Sequence, residues 1–171
     1  MRRFWRGAAM LLILSACGNA QPRANLITSL ERLAASNNAE AIYHLGMAYH
    51  TGTGVPKDHV KALAAFRRAA SLGDVLASSK LGCYYDGQGG ELVEANPDLA
   101  LRYKLIAAQA GYALAEQDVA VHYAAKGEIP TALAWLEKAA AQGTADALAA
   151  YASVYNGAPG VPPDKAKTAA Y

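Results

Sequence analysis

Four histidines and two cysteines are the residues of this 171-residue chain best suited to metal or nucleophilic chemistry. His44 and His50 stand six positions apart and His59 and His122 are isolated, so none has the i, i+4 spacing of a helical metal site. They read as surface or core histidines, and no metal ligand is assigned. Asp58, Asp98 and Asp164 recur where second helices should begin. A carboxylate there satisfies free N–H groups and the positive end of the helix dipole, so these three read as caps and not as catalytic acids. The chain has no Gly-x-Ser-x-Gly elbow, no Ser-x-x-Lys and no glycine-rich loop closed by Lys-Ser/Thr. Gly52-Thr53-Gly54 and Gly87-Gln88-Gly89-Gly90 join helices and read as turns. The expectation is no catalytic residue, no cofactor and no enzyme. A formal charge of +2 without a Lys/Arg stripe also argues against a nucleic-acid partner.

The two cysteines differ in context. Met1 to Arg6 is basic, Ala8 to Leu14 is apolar, and Ser15-Ala16-Cys17-Gly18 is small. That succession reads as an export signal, too short to span a bilayer permanently. Leu14-Ser15-Ala16-Cys17 resembles the bacterial lipobox, which implies that Cys17 is lipidated and becomes the first residue of the mature chain. Cleavage near Ala16 or Ala20 of an ordinary secreted protein is the alternative. Gly18 is not the aspartate that retains lipoproteins in the inner membrane, so the resemblance implies an outer-membrane anchor facing the periplasm. The organisation expected is a signal over 1–16, a tether over 17–24 and one domain over 25–171. Removing residues 1–16 takes away three arginines and no acids, which leaves 13 basic against 14 acidic groups. With Cys17 acylated, Cys83 has no disulfide partner in the chain, and an exposed thiol is a liability in an oxidising compartment, so its burial or partial burial is expected.

The elements that must position these residues come from a repeat. Ala39 to Tyr49 aligns with Val75 to Tyr85, Ala113 to Tyr123 and Ala145 to Tyr155. Downstream, Ala69-Ala70-Ser71-Leu72-Gly73 recurs as Ala107 to Gly111 and Ala139 to Gly143. Each unit is a helix, a turn, a second helix and a glycine stop. Ala41, Leu45 and Tyr49 form an i, i+4, i+8 stripe for a neighbouring helix. Gly46 and Gly82 lie within helices, where glycine costs about 1 kcal/mol against alanine, so close approach of the partner helix is their expected use. Ala120 and Ala152 hold the same place later. Gly73, Gly111 and Gly143 suit the left-handed residue that ends a helix, and Asn37 takes that role before the first unit. A helix from about Ala24 to Ser36, with Leu26, Leu30 and Leu33, reads as an incomplete unit that caps the stack. The 40 alanines fit the same scheme, as small residues wherever two helices pack closely.

The pattern resembles the Sel-one-like repeat family, a branch of the tetratricopeptide superfamily. Ala41, Leu45, Gly46, Tyr49, Gly52, Gly54, Val55, Asp58, Lys61, Ala62, Ala69, Ala70 and Gly73 match it in the first unit. The second unit carries an insertion over Gly87 to Pro97, the third replaces its loop with Lys126 to Pro130, and the fourth regains Gly157, Gly160, Val161 and Asp164. The resemblance implies an all-α, right-handed α-solenoid of stacked antiparallel helix pairs. About four repeats, near 38–73, 74–111, 112–143 and 144–171, follow one N-terminal capping helix.

Solenoids usually hold partners along the concave row of first helices. The residues expected there are Tyr43, Met47 and His50; Ser79, Cys83 and Asp86; Gln117, Val121 and Ala124; and Ala149, Ser153 and Asn156. Tyr and Met combine apolar area with adaptability, although the row could also serve as filling for the core. The loop Gly87 to Pro97, with Glu91 and Glu94, is a second candidate surface. The short final unit, ending Ala169-Ala170-Tyr171, offers an apolar edge for self-association or for packing back on unit four. The function expected is binding of another protein by a lipid-anchored, periplasm-facing chain. Lipoproteins resembling it include immunity proteins against secreted lipase-type toxins, and envelope scaffolds or adaptors. Some cysteine-rich relatives are linked to β-lactam binding, but this chain lacks their paired cysteines.

Overall fold

The computed structural model describes residues 20–155 together with Val161, Pro163 and Lys165. Among them are eight α-helices and no strand. They are α1 (Ala20–Ala35), α2 (Ala39–Thr51), α3 (His59–Ser71), α4 (Val75–Cys83), α5 (Pro97–Gln109), α6 (Ala113–Ala125), α7 (Ile129–Ala141) and α8 (Ala145–Tyr155). Each helix packs on the next, from α1 against α2 through α7 against α8. Cys17, Asn156, Asp164 and the C-terminal edge at Tyr171 lie outside the described residues.

Polar side chains set the helix starts. Asn38, Asp58, Asp74 and Asn96 accept from the backbone N–H three residues on, at Ala41, Lys61, Ala77 and Leu99. Asp98 is thus not the cap expected of it. Proline lacks an N–H and has a fixed φ, so Pro97 belongs at the first helical position; the cap moves back to Asn96, and Asp98 falls in the first turn. Asn37 adopts φ 60° and Gly73, Gly111 and Gly143 adopt 91°, 83° and 75°, the left-handed stops that the repeat required.

Small residues let these helices meet. Ala34, Ile42, Ala69 and Ala77 form one buried cluster joining α1 to α4, and Ala107, Ala108, Ala115 and Val119 another between α5 and α6. A Cβ on Gly46 would lie 2.8 Å from the ring of the fully buried Phe66. One on Gly82 would lie 2.6 Å from the Lys104 stem. α2 buries Ala41, Ile42, Gly46 and Ala48 and leaves Leu45 and Tyr49 half-buried. α1 buries Ile27 and Ala34, whereas Leu26 and Leu33 stay 57% and 42% exposed. Alanine, not leucine, faces the short gap to α2 and α3.

Val93 and backbone bonds from Gly89 and Asn96 anchor the insertion of the second unit. A π-type turn over Tyr84–Gln88 continues α4 and breaks at Gly87, with φ 99°. A short 3-10 turn over Gly90–Leu92 follows, and Val93 then returns to the core beside Phe66, Leu81 and Tyr84. Glu91 and Glu94 face solvent.

Candidate functional site

α2, α4 and α6 are the first helices of three successive units, and together they line a groove of about 410 Å³. Tyr43, Ser79, Cys83, Gln117 and Val121, five residues of the expected row, reach it. Leu76, Leu114 and Lys80 complete its rim with Tyr112 and Asp118. The faces Leu76, Ser79, Lys80, Cys83 and Leu114, Gln117, Asp118, Val121 share the spacing i, i+3, i+4, i+7 and stand 38 residues apart. Extending the row by these neighbours would have found Leu76, Lys80, Leu114 and Asp118 from the sequence.

The groove combines apolar area with charge. Leu114 and Val121 are 50% and 64% exposed, and Leu76 is also exposed. Lys80 makes no ion pair among the described residues, whereas Asp118 lies 3.7 Å from the Lys104 ammonium. Burial pushes the Tyr43 hydroxyl upward, helped by Tyr112 and Asp74, so it remains a neutral donor. Cys83 is a free, half-buried thiol, and burial chiefly, with Asp118, raises its pKa above the ordinary value. A thiol held protonated is a poor nucleophile, which suits a contact residue.

The other row residues go elsewhere. Met47 turns toward α1 and lines a second groove with Leu26, Ile27 and Leu30. His50 Nδ1 lies 2.7 Å from the Tyr84 hydroxyl, tying α2 to the second unit. Burial, then Lys80, His59 and Lys57, lower its pKa. Asp86 is bound by the nearly buried Lys104, Nζ to Oδ2 2.6 Å. Burial acts to lower the Lys104 pKa, but Asp86 and Asp118 outweigh it and hold the ammonium charged. Ala124 lines a neighbouring apolar groove with Val121, Leu133 and Leu136. Ala149 and Ser153 are exposed on α8. Five residues of the row thus share one open groove, His50 and Asp86 make contacts that hold the units together, and the other described ones lie in other grooves or on the surface of α8.

The insertion makes its own shallow site. Arg67 donates to the Tyr85 hydroxyl at 2.9 Å, Tyr85 stacks on Tyr103, and Leu92, Glu94 and Asn96 close a cleft around them. No group of three or more potential metal-ligating side chains occurs among the described residues, and no described helix is long and apolar enough to cross a membrane.

Successive helix pairs, each stopped by a left-handed residue and stacked through alanines, define a tetratricopeptide-like repeat protein. The Sel1 repeat pattern matches residues 39–74, 75–112, 120–144 and 145–171, and the chain belongs to the Sel1 repeat family. A Sel1 repeat protein from Oxalobacter formigenes has a similar structure, with a TM-score of 0.76 and 30% identity over 86% of this chain. The chain spans 62% of that protein's length. The protective antigen c5321 of uropathogenic Escherichia coli shares the fold, with a TM-score of 0.55, 23% identity, and coverage of 86% of this chain and 40% of its own. Immunity protein PA5088 from Pseudomonas aeruginosa is more distant, with a TM-score of 0.48 and 21% identity over 94% of this chain and 85% of its own, and bears no functional weight here. No curated protein matches the chain. The family consists in general of non-catalytic scaffolds suited to protein–protein interaction.

Proposed function

We propose that this chain is a lipid-anchored protein of the bacterial outer membrane, facing the periplasm through a lipidated Cys17, and that its groove on α2, α4 and α6 captures another protein. The observation that carries the reading is the groove itself: exposed Leu76, Leu114 and Val121 stand beside Lys80 and Asp118 on two consecutive units, with Tyr43 of the unit before them. Exposed apolar side chains grouped within a rim of polar ones are the usual composition of a docking site. The partner assigned is a secreted lipase-type toxin, which the protein neutralises where such a toxin attacks. Anchoring at the membrane supports that role, because protector and threatened lipid are then held together.

The test is survival of cells challenged in the periplasm with a lipase-type toxin encoded beside this protein, with co-capture of the two proteins as the molecular readout. The doublet Leu114→Glu with Val121→Lys should abolish both while leaving helicity and membrane retention intact, because exposed positions away from the core change stability by only about 0.5 kcal/mol. Full protection by the doublet removes the groove from the reading, and failure of the unaltered protein to protect removes the immunity role.

A further inference from the structure

The leucines of the capping helix are the apolar feature that the fold leaves least explained. Terminal units of a solenoid normally turn a polar face outward. α1 instead packs Ile27 and Ala34 inward and presents Leu26 and Leu33 to solvent, with half-buried Leu30 between them. At 100° per residue these three leucines fall in one stripe, about a quarter turn from the buried face, while exposed Glu31 and Arg32 lie away from it. The stripe runs into the groove of about 430 Å³ that Leu26, Ile27 and Leu30 make with Met47 and Ala48 of α2.

We propose that the Leu26–Leu30–Leu33 stripe is a lipid-contacting surface and that α1 lies in the interface of the membrane to which the chain is tethered. The proposal rests on the anchor at Cys17. What selects lipid as the occupant is the chain that precedes the helix. Cys17 stands three residues before Ala20, the first residue of α1. Three residues reach no more than about 10 Å, so an acylated Cys17 pins the start of α1 beside the bilayer surface. At 1.5 Å per residue, Leu26 and Leu33 lie about 9 and 20 Å further along the helix. An interfacial helix buries its apolar face about 5–10 Å into the boundary of headgroups and acyl chains, a depth suited to leucine side chains. Tethering also makes the contact effectively intramolecular, so even weak partition of three leucines orients the molecule.

The experiment uses the protein with its native lipid anchor, reconstituted in phosphatidylethanolamine and phosphatidylglycerol vesicles. Nitroxide labels are introduced one at a time through Leu26→Cys, Leu33→Cys and Glu31→Cys, each in a Cys83→Ala background. Accessibility to oxygen, which concentrates in lipid, is compared with accessibility to a water-soluble nickel chelate. Labels at 26 and 33 should favour oxygen several-fold over the label at 31. Equal access to nickel at all three sites, in protein retained by the vesicles, overturns the proposal and leaves the anchor standing. Labels at 26 and 33 shielded from both reagents and broadened by spin–spin coupling assign the stripe to a second copy and likewise overturn it. Protein that is not retained removes the anchor, and the proposal with it.

Discussion

Gly82 and His50 show how single residues fix the stacking of units. The Gly82 backbone meets the stem of Lys104, whose ammonium is held by Asp86 and Asp118, so the lysine cannot swing aside without giving up its ion pairs. Alanine gains about 1 kcal/mol of helix propensity at such a position, but overpacking costs about 1–3 kcal/mol. Gly82→Ala should therefore be destabilising by up to about 2 kcal/mol, read as a lower urea midpoint at unchanged slope. His50 acts through its charge. Its folded pKa lies below the ordinary 6.5, because burial and then Lys80, His59 and Lys57 disfavour the imidazolium. The unfolded chain then binds the proton more readily, so the stability that the neutral ring contributes is present above pH 6.5 and is lost as pH falls through the lower folded value. Urea midpoints should fall between pH 7.5 and pH 5 in the unaltered protein, and less steeply in His50→Gln.

At the scale of the element, the insertion between α4 and α5 behaves as one hinged piece. It leaves α4 through the break at Gly87 and re-enters the fold through Val93, buried in the cluster of Phe66, Leu81 and Tyr84. The amide of Asn96 donates to the Tyr85 carbonyl at 2.8 Å, and the Asn96 side chain then starts α5. Val93→Ala removes two methylene equivalents from the core, about 1.5 kcal/mol at about 0.8 each. The loss should fall on the segment itself: amides over 87–96 exchange faster and proteases cut there, with α2 and α6 unchanged. Uniform acceleration of exchange along the chain would show that the insertion is coupled to the whole stack.

The whole molecule is a line of helices in which each packs chiefly on its sequence neighbours. Stability in such an array is close to a sum of units and interfaces, so damage stays local. Tyr151 is 2% exposed in the last core cluster, with Tyr155, Leu136 and Val161. Tyr151→Ala, at a cost of about 3–5 kcal/mol for a large aromatic, should loosen α7 and α8 while α2 to α4 keep their hydrogen-exchange protection. Loss of protection throughout would mean that the stack unfolds as a single cooperative block. The same linearity leaves a groove to which α4 and α6 contribute the same helix face with different side chains, and α2 contributes Tyr43.

The repeat was legible in the sequence because its determinants are local: left-handed stops at Asn37, Gly73, Gly111 and Gly143, small residues at fixed offsets, and Asp58 ahead of α3. The residues of the groove were half legible. Tyr43, Ser79, Cys83, Gln117 and Val121 follow from helical periodicity, and Leu76 and Leu114 from the repeat offset. Periodicity alone could not divert His50 to Tyr84, Asp86 to Lys104 or Met47 to α1, because those partners come from other elements and depend on how far apart neighbouring helices settle. For the same reason the order of leucines in α1 does not say which face is buried, and the structure exposes Leu26 and Leu33. Sequence by itself determined the helices, their order and the left-handed stops between them. Tertiary structure decided which face of each helix is spent on its neighbours and which is left for a partner, since that depends on how closely neighbouring helices settle: leucine fills the core at Leu63, Leu81 and Leu136, whereas Ala34, Ala69 and Ala77 hold the closer contacts.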